Sequence, residues 1–157
     1  MKKIKIELLE LLKQNDFEKN IQRIHKFDQR KLVNALFSFL CSTDRKIKEN
    51  AITAMGEAVS KIAEVDLESA RIIMRRLMLN LNDESGGIGW GAPEAMGEIM
   101  AKCEKLAKDY YKILISYTPD GGNYLDFDGL QKDVIAGLKR LSRVHPDLVK
   151  EVEHLLV

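Results

Sequence analysis

The chain has 157 residues, enough for one well-buried domain and too few for two comfortable ones. Hydrophobic residues make up 45% and charged residues 31%, which excludes a disordered chain and suits a helix-rich globular domain. Lys and Arg total 25 against 24 Asp and Glu, so no overall field draws in nucleic acid or an anionic membrane.

Nearly every segment carries helical periodicity. Ile4, Leu8, Leu11 and Leu12 form a first apolar stripe, and Asn15-Asp16-Phe17-Glu18 then reads as a cap with Glu at the capping-box position. Ile21, Ile24 and Phe27 mark a short second helix. Asp28 can cap a third, whose apolar face is Leu32, Val33, Leu36, Phe39 and Leu40. After Ser42-Thr43-Asp44, a helix over about 45–63 places Ile47, Ala51, Met55, Ala58, Val59 and Ile62 on one side. Asp66 caps the next, with Ile72, Ile73, Leu77 and Leu81 as its stripe.

A glycine-rich loop over 82–91 precedes Pro93, which suits the first turn of a helix carrying Ala92, Met96, Ile99 and Met100. Leu106, Tyr110, Ile113, Leu114 and Tyr117 mark another. Pro119-Asp120-Gly121-Gly122-Asn123 is turn chemistry, and Asp128-Gly129-Leu130-Gln131 has capping-box spacing before Val134, Leu138 and Leu141. His145-Pro146-Asp147 opens the last helix. The expectation is all-α, about nine helices, with no strand.

Met1-Lys2-Lys3-Ile4-Lys5 looks like the start of a signal peptide, but Glu7, Glu10 and Lys13 interrupt the apolar run that would have to follow. The longest apolar stretch, around 35–41, is far below membrane-spanning length. A cytoplasmic location is expected. Cys41 and Cys103 lie far apart without a CxxC pattern and read as reduced core thiols.

Ala54-Met55-Gly56-Glu57 recurs as Ala95-Met96-Gly97-Glu98, and a weaker copy begins at Val134. Spacings of about 40 residues belong to stacked helix-pair units, in which each unit buries its apolar face against the next. Glycine within a helix costs about 1 kcal/mol relative to alanine, so its recurrence points to close approach of a neighbouring helix. In the third copy Lys139 falls where Gly56 and Gly97 stand, and Arg140 where the glutamates stand.

With its period, helix pairing and small-residue pattern, the chain resembles the HEAT-repeat or armadillo-type superhelix family over about 28–157. That resemblance implies a short right-handed α-α superhelix forming one domain over 1–157, with 1–27 as capping helices and about three helix-pair repeats following. It also implies a non-catalytic scaffold binding a protein partner through its concave face. Asp44-Arg45 fits the family's turn pattern, Asp83-Glu84 fits partly, and the third connection departs from it.

The segment from Asp83 to Gly91 is the least repeat-like and holds the sole tryptophan, Trp90. It reads first as a structural loop with Trp90 packed into the helix ridge. Its other readings are a partner anchor, with Asp83, Glu84 and Trp90 as contacts, and an anion site of backbone N–H groups. No strand or Walker lysine accompanies the glycines, so there is no nucleotide fingerprint.

Glu57, Glu98 and Arg140 occupy equivalent positions of the three copies and are candidate partner contacts of mixed charge. The glutamates read as solvated, with Glu98 positioned to pair with Lys102 one turn on. Di-metal carboxylate sites need Glu-x-x-His patterns that this chain lacks, and the three histidines have no ligand spacing. No catalytic set, metal site or cofactor site is readable. Basic residues at 45–48, 75–76, 102–108 and 139–143 leave one alternative, a HEAT-like nucleic-acid binder or base-excision enzyme, which the neutral net charge disfavours.

Overall fold

The computed structural model describes residues 2–81 and 90–157. Among them the chain is all-helical and without strands. The elements are α1 (Lys2–Leu12), the 3₁₀ helix η1 (Phe17–Lys26), α2 (Gln29–Phe39), α3 (Arg45–Val65) and α4 (Leu67–Asn80), then α5 (Ala92–Lys102), α6 (Glu104–Ser116), α7 (Asp128–Val144) and the 3₁₀ helix η2 (Pro146–Leu155).

Local chemistry sets most of the boundaries. The carboxylates of Asp28, Asp44 and Asp66 accept the backbone N–H groups of Lys31, Ile47 and Ser69 at 3.1, 3.1 and 3.3 Å, which caps α2, α3 and α4. Two expected caps are corrected. The Asp16 carboxylate caps no backbone N–H of η1 but accepts the Asn20 side-chain amide at 2.9 Å, and the element is a 3₁₀ helix kinked at Asn20. Phe127 rather than Asp128 holds the N-cap of α7. The Gln131 amide instead donates to the carbonyls of Tyr117 and Leu125, at 2.7 Å each, and ties down the 117–125 connection.

Consecutive helices pack as pairs, and α3, α5 and α7 form the most intimate contacts in the molecule. They make an inner layer. Helices α2, α4 and α6 lie outside it, each against the inner helices that flank it in sequence, and touch one another little. In the inner layer Ala54, Met55, Ala95 and Met96 are fully buried. Each buried methionine contributes about 1.5–3 kcal/mol of apolar burial.

The glycines differ in what they face. A β-carbon on Gly97 would overlap the backbone of Gly137, and one on Gly137 would overlap the Pro93 carbonyl. Helices α5 and α7 therefore meet backbone to backbone. A β-carbon on Gly56 would lie 2.6 Å from the Glu98 Cγ, a side-chain rather than a backbone atom. The third copy has thus kept a small residue, at Gly137 rather than at the position of Lys139.

The expected stripe on α4 is also corrected in part. Leu77 is fully buried, but Ile72 is 55% exposed. Both cysteines are free thiols and only half-buried, so neither is a core residue in the full sense. No helix among the described residues is long and apolar enough to cross a membrane.

Candidate functional site

Glu94 and Glu98 on α5 and Arg140 on α7 come together on the inner layer, and Glu57 on α3 holds the repeat position equivalent to Glu98 and Arg140. The Arg140 guanidinium bridges two carboxylates one turn apart, with Nε 2.8 Å from Glu94 and Nη1 3.3 Å from Glu98. The side chains are 16%, 13% and 12% exposed for Arg140, Glu94 and Glu98. These are not solvated glutamates. Glu98 pairs across the helix interface with Arg140 rather than along its own helix with Lys102, because the Gly97–Gly137 contact draws α7 within reach.

Glu57 has different partners. His25 Nε2 lies 3.1 Å from its carboxylate, and the Gln22 amide donates to the same oxygen at 3.2 Å. Both partners belong to η1, which packs on α3 and so continues the inner layer.

The two glutamates titrate in opposite directions. Burial pushes the Glu98 carboxyl above the usual carboxylate range, and the Arg140 charge only partly offsets it. Burial acts the same way on Glu57, but the hydrogen bonds from His25 and Gln22, with the charge of Lys102, carry it below that range.

Beside this row lies an open pocket of about 300 Å³. Glu18 and Ile21 of η1 form one wall, Thr53 of α3 and Glu98 of α5 lie within it, and Lys102, Arg140 and Arg143 supply the cationic side. Lys102 and Arg143 are exposed and, among the described residues, neither forms an ion pair. They were not picked out by repeat position, although i, i+4 spacing from Glu98 and i, i+3 spacing from Arg140 puts both on the same helix faces.

Trp90 lies apart from this pocket. It is half-buried and stacks on Phe127, with ring centroids 6.1 Å apart and an interplanar angle of 26°. Its indole is also 3.6 Å from where a β-carbon of Gly129 would stand. Its Nε1 is buried with no hydrogen-bond partner among the described residues. The expected contacts Asp83 and Glu84 lie outside the described residues.

The most buried charge was missed by sequence reading. Asp133, 4% exposed, accepts from Lys48 Nζ at 2.8 Å and from the backbone N–H of Gly91 at 2.6 Å. Gly91 is the N-cap of α5 and has a φ of 85°, a left-handed conformation that favours glycine. One carboxylate thus joins all three inner helices and also offsets the positive end of α5.

Several members of the basic clusters are neutralised by neighbouring carboxylates. Arg45 pairs with Glu49, Lys48 with Asp133, Arg75 with Glu68 and Lys108 with Glu104. Among the described residues, no group of His, Cys, Asp and Glu has an arrangement that could hold a metal ion. Comparison with protein-family models, with curated proteins and with solved structures finds no match for this chain.

Proposed function

We propose that this chain is a non-catalytic, HEAT-like interaction module that binds a partner protein across its inner helical layer. One observation carries the reading: Glu98 and Arg140, from different helix pairs, are ion-paired in the wall of an open pocket, and Glu57 holds the equivalent position on α3. A row built by stacking suits an extended partner, because each unit presents one position of it. The Arg140–Glu94–Glu98 bridge is the fixed, internally neutralised part of this surface. Lys102 and Arg143 are the free part, and they favour acidic side chains on the partner.

The experiment follows from that division. Reversing Glu57 or Glu98 would disturb the packing as well as the surface, so the discriminating variant is Lys102→Glu combined with Arg143→Glu, both at exposed positions. Captured partners should be lost from this variant while its helical circular dichroism stays unchanged. Retention of every partner at wild-type level would contradict the assignment.

A further inference from the structure

The outer layer holds a second surface. Between α2 and α4 runs a groove of about 450 Å³, within the ~300–1,000 Å³ range of ligand clefts. From α4 it is lined by Ser69, Ile72, Ile73 and Arg76, which have i, i+3, i+4, i+7 spacing. That is the stripe by which α4 would pack on a neighbouring helix, yet α2 stands too far off to cover it and Ile72 remains 55% exposed.

Charge in the groove is of one sign. Arg71 and Arg75 of α4 are bonded to Asp109 and Glu68. Arg76 lines the groove instead, with its guanidinium 4.0 Å above the Phe37 ring and donating to the Asn34 side-chain oxygen at 2.5 Å. Arg30 lines it from α2. Among the described residues neither Arg30 nor Arg76 has a carboxylate within ion-pair distance. Gln29, also in the lining, has a buried side-chain oxygen with no donor among the described residues. Beyond Gln29 and Ile62 the groove opens into a hollow carrying Lys61, Glu64 and Asp66, where the charge is mixed.

We propose that this groove receives an acidic amphipathic helix from a partner protein. Its apolar residues cover Ile72 and Ile73, and its Asp or Glu residues meet Arg30 and Arg76. The helical spacing of Ser69, Ile72, Ile73 and Arg76, with arginines on both walls unpaired among the described residues, complements an acidic helix along the length of the groove. The groove shares no lining residue with the inner-layer pocket, so the proposal does not depend on the function proposed above.

The test is selection of helical peptides from a randomised display library on the full-length chain, followed by fluorescence anisotropy of the enriched peptides. Enriched sequences should carry apolar residues at i, i+3, i+4, i+7 flanked by Asp or Glu. Arg30→Glu and Ile72→Asp should each weaken their binding by about tenfold or more. Both positions are exposed, so helicity should be retained, and Lys102→Glu on the inner layer should leave the affinity unchanged. Several results would overturn the proposal: no enrichment, peptides without an acidic excess, or equal binding to both groove variants. Displacement by oleate would make the groove a lipid-carboxylate site. Concentration-dependent dimerisation abolished by Ile72→Asp would make a second copy the occupant.

Discussion

The carboxylate of Asp133 accepts the backbone N–H of Gly91 at 2.6 Å, across 42 residues of sequence. Its other oxygen takes Lys48 Nζ, so a single side chain on α7 fixes the start of α5 and the first turn of α3. Removing one partner from a buried pair leaves the other charge desolvated and unpaired. Asp133→Ala should therefore lower stability by about 3 kcal/mol in urea titration, discounted from the top of the range because Lys48 is partly exposed. Lys48→Met should cost less, since Asp133 keeps the Gly91 bond. Equal and small losses in both variants would contradict the role assigned to Asp133.

Gly56 and Gly97 hold the same repeat position but should respond differently to alanine. At both sites alanine gains about 1 kcal/mol of helix propensity. At Gly56 the new methyl meets the Glu98 side chain, which must shift against its bridge to Arg140, so Gly56→Ala should cost about 1 kcal/mol, less than at Gly97. At Gly97 it meets the backbone of Gly137, which cannot yield without separating α5 from α7. Gly97→Ala should cost about 2–3 kcal/mol by thermal or urea unfolding.

Much of this architecture was legible because its causes are local. Asp28 and Asp66 cap helices through bonds that span three residues, and the repeated tetrapeptide marked α3 and α5 as equivalent. The bridge from Arg140 to Glu94 and Glu98 was not legible. Its partners are set by how closely α7 approaches α5, and that depends on Gly137 rather than on Lys139. The exposure of Ile72 was hidden for a related reason: periodicity shows which face of a helix is apolar, not whether a neighbour covers it.

Glu57 and Glu98 predict opposite effects of pH on stability. Glu57 has a lowered carboxyl pKa in the folded state, so its contribution is present above the unfolded value of 4.5 and is lost as pH falls through the folded value. Glu98 has a raised one, so the folded state binds the extra proton and stability from this site declines as pH rises from 4.5 through the folded value. Urea midpoints taken across this range should show Glu57→Gln reducing the loss on acidification. Glu98→Gln should instead remove the decline on its alkaline side. Parallel pH profiles for the two variants would contradict the assigned environments.

Trp90 packs on Phe127 through its ring, while its N–H finds no partner among the described residues. Trp90→Phe keeps an aromatic face and removes a buried donor, so it should fall within about 1 kcal/mol of wild type. Trp90→Ala should cost about 3 kcal/mol through the lost apolar contact. Chemical denaturation of the two variants separates packing from hydrogen bonding. Equal losses in both would show that the indole N–H matters to the fold.

The inner layer as a binding surface is tested most directly by quantitative affinity capture from the native cell, with three forms of the full chain side by side. These are the wild type, Lys102→Glu/Arg143→Glu on the inner layer, and Lys112→Glu on the exposed side of α6. The predicted result is at least one protein retained by the wild type and by Lys112→Glu but depleted about tenfold or more from the inner-layer variant. Equal recovery of every captured protein by all three forms would contradict it.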